Sequence, residues 1–327
     1  MTGIIAAACH FPGRTQSVEG IFHAEGAAYG PQVAARLGIE LVPVCAGETA
    51  SALALAAAQK ALAQAGLDAE AIDVIIDYSI LPQEYLVPAW SMSNKLQHEL
   101  NATNAFTMGF SGGDATNFLI SLQCATSLIQ SNEEINTVLL LAADVALPAN
   151  RLLNPDYPLT VLGDGASAVV VQRNAGRYRI LDTELLSDGR FQGVCYVPGG
   201  AIAHPDRPDL YRLQLNKLLY DQAPKAEALP PLIDKMLERA GLPWSAITYF
   251  LYPNISADDQ ASFEQTCGHR NWPGQANGLI RHGHVQGTDL VLNFLSALAS
   301  DAWREGDVIC LCSHGMGFMA GAALIQV

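Results

Sequence analysis

The chain has 327 residues, half of them hydrophobic, 15% charged and 7% aromatic, which is enough apolar material to bury a large core and too much to stay disordered. Its formal charge of −14, from 18 basic and 32 acidic residues, excludes a nucleic-acid surface and argues against a broad anionic-membrane surface. No stretch reads as a leader or as the ~20 apolar residues of a membrane span, and seven scattered cysteines suit reduced thiols better than disulfides, so a cytoplasmic protein with no metal site is expected.

Apolar runs and helical patterns alternate from end to end, the habit of α/β layering. Residues 3–9 read as a buried strand, and 49–66 as an Ala-rich helix closed by Gly66. A strand at 72–76, a helix at 89–100 and a strand at 105–110 lead into a turn over Ser111, Gly112 and Gly113. From Asp114 to about Gln130, Phe118, Leu119, Leu122, Ala125 and Ile129 recur at three- and four-residue spacings, which predicts a helix held inside the protein. Residues 137–143 and 166–171 are apolar enough to be strands buried on both faces.

The order then repeats, with helices at 231–240, 256–268 and 290–303 and strands at 247–252, 308–312 and 320–326. Two halves are expected, 1–172 and 173–327. The stretch 174–228, broken by Gly193, Pro198, Gly199, Gly200, Pro205 and Pro208, reads as an irregular cap.

Four motifs then become specific. Thr160-Val161-Leu162 followed by Gly163-Asp164-Gly165-Ala166-Ser167-Ala168 resembles the turn and strand of beta-ketoacyl-ACP synthase III. Tyr252-Pro253, Arg281-His282-Gly283 and the closing Ser313-His314-Gly315-Met316-Gly317-Phe318 resemble further segments of that family, in the family's order and across essentially the whole chain. The resemblance implies a thiolase-like, five-layered αβαβα fold from two duplicated halves. It also implies a cysteine at the start of the central helix that takes the acyl group, assisted by a His and an Asn from the second half.

Matched residue by residue, the nucleophile position falls on Gly112 when read forward from Pro88 and Ala105-Phe106, and nearer Ala115 when read backward from Phe118; neither is a cysteine. The family's histidine position holds Asn254 and its asparagine position holds His284, 30 residues on, so the pair looks exchanged. His314 replaces an aromatic residue before the Gly-rich turn.

A helix start at Gly112 and Gly113, with the Met316 turn, can still present N–H groups to an acyl oxygen. Ser111 can serve as a nucleophile activated by His284 or His314, or only as a turn or N-cap residue. Asp114 can be a base or an unusual nucleophile, or merely the acid that a helix dipole favours. Asn254 can donate its amide to a thioester oxygen.

Arg36 resembles an arginine that helps bind the coenzyme A nucleotide, whereas Asp258 and Asp259 stand where the family has a basic residue, making an acidic mouth; Lys217 and Lys225 near the cap are its possible positive exceptions. Val87 and Glu84 lie in a loop expected to cross into a partner subunit, Val87 lining the pocket and Glu84 offering a base. The expectation is an atypical, non-decarboxylating acyltransferase of specialised or fatty-acid-like metabolism. It would take a coenzyme A or phosphopantetheine thioester as substrate, with no bound cofactor, and acyl carrier protein as a candidate partner. The alternative is a catalytically silent subunit pairing with a cysteine-bearing paralogue. A homodimer goes with the first reading, a heterodimer with the second.

Overall fold

The structure, a computed structural model, describes residues 1–81, 83–85, 90–147, 150–199, 204–268, 274–300 and 303–327. Its large sheet has nine strands among the described residues: β1 (Gly3–His10), β2 (Val74–Asp77), β3 (Phe106–Gly109), β4 (Thr137–Asp144), β5 (Gly165–Gln172), β6 (Arg179–Ser187), β7 (Ile247–Leu251), β8 (Val308–Gly315) and β9 (Met319–Gln326). They run in the order β7-β8-β9-β6-β1-β5-β4-β2-β3. β1 and β6 meet at one register pair, Gly3 with Arg179, so the sheet is two half-sheets joined by a narrow seam.

Six helices fill the layers: α1 (Ala50–Ala65), α2 (Met92–Leu100), α3 (Asn117–Ser131), α4 (Leu229–Ala240), α5 (Ala257–Cys267) and α6 (Asp289–Ala299). Phe118, Leu122, Ile129, Leu290 and Phe294 of α3 and α6 share one core with the inner faces of both half-sheets. α1 and α2 cover the outer face of the first half-sheet, and α4 and α5 that of the second. This makes five layers, helix-sheet-helix-sheet-helix, the expected thiolase-like α/β fold. Two helices that are apolar over most of their circumference can be stable only when sheets enclose them, which is why α3 and α6 occupy the centre. No helix among the described residues is long and apolar enough to cross a membrane.

The predicted ends of α1 are met by chemistry: the Thr49 side chain accepts from Ala52 N–H, and Gly66 closes the helix with φ +66°. The expected irregular cap needs correction, because Arg179–Ser187 inside it is a nine-residue strand at the middle of the sheet, paired with β9 over its length. Its charged residues disguise it. Asp182 and Glu184 point outward, where Arg239 of α4 binds both at 2.6 Å.

The Asp164 carboxylate of the Gly163–Gly165 turn is fully buried and accepts two bonds from the Arg151 guanidinium, at 2.8 and 2.9 Å, and one each from Cys45 N–H and Ala146 N–H. Arg151 also donates to Leu162 O. Gly163 N–H in turn donates to His284 O, while His284 N–H donates to Val161 O. The motif of the first half is thereby bolted to the backbone of a candidate residue from the second.

Candidate active site

β3 delivers the chain into the loop before α3, which is bent by Gly112 at φ +92° and by Asp114, a non-glycine residue at φ +51°. Asp tolerates this left-handed region better than most residues. Gly113 N–H donates to Asn117 Oδ1 at 2.9 Å, so it is not free to hold a substrate oxygen. The Gly-rich turn between β8 and β9 lies directly against this loop; a Cβ on Gly315 would collide with Gly113 O and stand 2.9 Å from Asp114 Cβ. Across that contact Met316 N–H donates to Asp114 Oδ2 at 3.0 Å. Gly112, Gly113 and Asp114 all pack against the turn, and Asp114 is the residue whose side chain bonds Met316. It lies between the two sequence readings, Gly112 and Ala115.

Ser111, Gly112, Asp114, His284, Gln286 and Met316 line one wall of a cavity of about 670 Å³. The buried His284 ring is held through Nδ1 by Asp289 Oδ2 at 2.6 Å. Asp289 is itself fully buried at the start of α6 and also accepts from Val285 N–H and Asn254 N–H, both at 2.8 Å. A carboxylate only accepts, so Nδ1 carries the proton, and Nε2 is left without a protein partner among the described residues. Burial pulls the imidazole pKa down, but the Asp289 charge and hydrogen bond, with smaller help from Asp114 and Asp144, outweigh it and hold His284 above the usual 6.5.

The Asp144 carboxylate clamps the cavity wall by accepting from Ile80, Leu81 and Gly287 N–H groups at 2.7 to 3.1 Å. Burial pushes it up to about 7 against the pull of those three donors.

Other expected residues go elsewhere. Asn254 is buried in a reciprocal amide pair with Asn293, at 3.0 and 3.3 Å, outside the cavity lining. His314 Nε2 contacts Asp259 Oδ1 at 3.1 Å, with the rings of Tyr252 and Phe318 nearby, and it too is outside the lining. Asp259 therefore turns inward and Asp258 alone of that pair is exposed, which corrects half of the expected acidic mouth. The Glu84 carboxylate binds Ser51 and Lys95 and does not line the cavity. Val87 lies outside the described residues. The Arg36 guanidinium sits 4.2 Å from the Tyr157 ring, and Lys217 Nζ 4.8 Å from the same ring, making a half-exposed cationic and aromatic cluster.

Sequence reasoning missed Asp289, Gln286 and Cys195. Asp289 follows His284 by only five residues, and Gln286, at φ +55°, lies in the turn that brings the two together. A His with an acid at this distance before an apolar helix was the available signal. Cys195 lines the cavity, but burial, with the Asp114 charge adding to it, pushes its thiol up to about 12, so it is not a ready nucleophile.

Residues 114–189 match the sequence model of the family 3-Oxoacyl-[acyl-carrier-protein (ACP)] synthase III. The chain is 29% identical over 300 residues to the Beta-ketoacyl-[acyl-carrier-protein] synthase III of Rhodospirillum centenum, covering 89% of this chain and 88% of that one. It superposes on the crystal structure of 3-oxoacyl-[acyl-carrier-protein] synthase III from Aquifex aeolicus VF5 with a TM-score of 0.81 and 21% identity, over 100% of both chains. It also superposes on the acyltransferase ChlB3 with a TM-score of 0.79 and 22% identity, over 100% of this chain and 97% of that one. The likeness to these synthases runs through most of the sequence, and superposition over the whole chain shows that the fold is thiolase-like.

Proposed function

We propose that the chain is an atypical acyltransferase that moves an acyl group from a thioester to an acceptor without decarboxylation. What carries the reading is the His284–Asp289 pair, whose free Nε2 belongs to the same cavity wall as Asp114 and the Met316 turn. Likeness to the synthases and to ChlB3 supports a thioester donor, coenzyme A or an acyl carrier protein, delivered past Arg36 and Lys217.

In this reading the acceptor, an alcohol or amine, loses its proton to His284 Nε2 as its heteroatom attacks the thioester carbonyl. The carbonyl oxygen takes the Met316 N–H by displacing Asp114 Oδ2. The C–S bond then breaks, and the leaving thiolate recovers the proton from His284. Decarboxylative condensation fits poorly, since Asn254 is spent on Asn293 and the Asp114 carboxylate would repel the carboxylate of an extender unit.

Direct transfer is favoured over a covalent relay because Ser111, exposed at the cavity wall, has no hydrogen bond to His284. Ser111→Ala is therefore expected to keep turnover within about tenfold of the parent, since it removes one hydrogen-bonding group. Intact-protein mass spectrometry after mixing with donor thioester checks this, and an acyl adduct on Ser111 would replace direct transfer by a two-step relay.

A homodimer belongs to the same proposal. Among the described residues β3 is a sheet edge, paired only with β2, and its Phe106 is 47% exposed. Such an edge is a template for a second copy. Light scattering should give twice the chain mass, and Phe106→Glu should halve it.

A further inference from the structure

A second polar group in the cavity wall has no part in the acid–base chemistry. Asp77, at the end of β2, is 8% exposed and lines the cavity with Ser79 and Gln83. Its Oδ1 accepts from Ser79 N–H at 2.9 Å and Ser79 Oγ–H at 2.6 Å, and its Oδ2 accepts from Gln83 Nε2 at 2.7 Å. Ser79 Oγ also accepts from Ala143 N–H at 2.9 Å, so the serine is fixed from both sides.

Because a carboxylate can only accept, Gln83 must present its amide nitrogen to Asp77. Its Oε1 is left without a protein partner among the described residues. Two acceptors, Gln83 Oε1 and the spare lone pair of Asp77 Oδ2, thus belong to a lining that also carries large apolar side chains. Trp90 and Tyr85, ring centroids 5.3 Å apart, and Met92 and Phe110 line the same cavity. Burial pushes the Asp77 carboxyl up against the pull of Gln83 and Ser79.

We infer that the Asp77–Gln83 pair selects substrates whose acyl group carries a hydrogen-bond donor, a hydroxyl or a protonated amine. A plain alkyl chain would dehydrate both acceptors and return nothing, and sites built to bond a polar group reject the analogue lacking it more strongly than apolar pockets reject extra size. The inference rests on the acyltransferase reading for its statement that the ligand is an acyl group.

The test is calorimetric titration of the intact protein with pantetheine thioesters matched in length, one alkyl, one hydroxyalkyl, one aminoalkyl and one ketoalkyl. The methyl esters of the same acids run in parallel, and turnover is measured on the same thioesters. The hydroxyl or amino compound should bind on the order of tenfold tighter than the alkyl one, and whichever arm leads identifies the donor.

In Asp77→Asn the new Oδ1 keeps both Ser79 bonds, so its amide must donate to Gln83. Gln83 then rotates to show Nε2 to the cavity, and the preference should move toward the keto compound. Gln83→Leu, a change to a half-buried loop side chain, should abolish the preference even if the Asp77 variant fails to fold. Equal binding of all compounds by the parent, or a preference unmoved in Gln83→Leu, overturns the inference. Selective binding with no turnover would sink the acyltransferase reading and leave the pair's role standing. Turnover without selectivity would do the reverse, and no binding at all would remove both.

Discussion

His284→Ala should lower acyl transfer by about 10²- to 10⁴-fold, the usual contribution of a positioned general base, with little change in the affinity for donor thioester. The expectation follows from His284 Nε2, an imidazole nitrogen in the cavity lining that has no protein partner among the described residues. The pH profile gives the sharper check. His284 acts as a base only when neutral, and Asp289 holds its pKa above 6.5, so kcat/KM should climb with pH through a point above that value. Asp289→Asn removes the chief upward influence and lets burial dominate. Its ascending limb should then move to lower pH, while the plateau falls by about 10²-fold as the ring loses its fixed tautomer and orientation. A merely structural role for the pair would lower activity without moving the limb.

The same linkage has a stability side. The folded imidazole binds its proton more tightly than the unfolded one. The pair therefore adds stability that is fully present below pH 6.5 and is lost as pH rises through the raised value. Denaturant midpoints of the parent and His284→Ala should converge as pH rises through that window.

How much of this was legible in the sequence depended on whether the governing contact was local. α1 could be bounded to within a residue because Thr49 and Gly66 end it by their own chemistry. β6 could not, since Asp182 and Glu184 are tolerable in a central strand only because Arg239, more than fifty residues on, meets them. The helix Gln275–His282 was hidden by Gly274 and Gly278, the latter packed so closely that a Cβ would stand 2.9 Å from Asn293 Oδ1.

At the site, the motifs pointed to His284, which lines the cavity, and to two companions that do not. Asn254 and His314 sit at matching offsets, yet each had a nearer polar partner, Asn293 and Asp259, that no spacing argument includes. The turn Ser111-Gly112-Gly113 could not be measured by counting. How many residues a glycine loop consumes before the helix depends on how tightly the opposing Gly315 lets it fold, and that put Asp114 opposite Met316.

The largest effect on stability should come from Arg151→Leu. Asp164 is fully buried, and the guanidinium supplies two of its four hydrogen bonds and most of the opposing charge. Removing that partner leaves an uncompensated charge in the interior and an orphaned Leu162 carbonyl, which together cost about 3–5 kcal/mol. With an m-value of about 2–3 kcal/mol/M, the urea midpoint should fall by roughly 1–2.5 M. Arg151→Lys keeps the charge but cannot reproduce the planar fork that reaches both carboxylate oxygens, so it should retain only part of the stability.

The double variant Arg151→Leu with Asp164→Leu should recover some of the loss, since no charge is then stranded. It should not recover all of it, because Cys45 and Ala146 N–H groups lose their acceptor. Activity adds a second reading of the same contact. The turn that Asp164 anchors bonds His284 through both its N–H and its carbonyl, so at low temperature, where Arg151→Leu is still folded, turnover should drop further than donor affinity. An Arg151→Leu protein with an unchanged urea midpoint would show that no charge is stranded at Asp164 and that the turn is held by its backbone bonds.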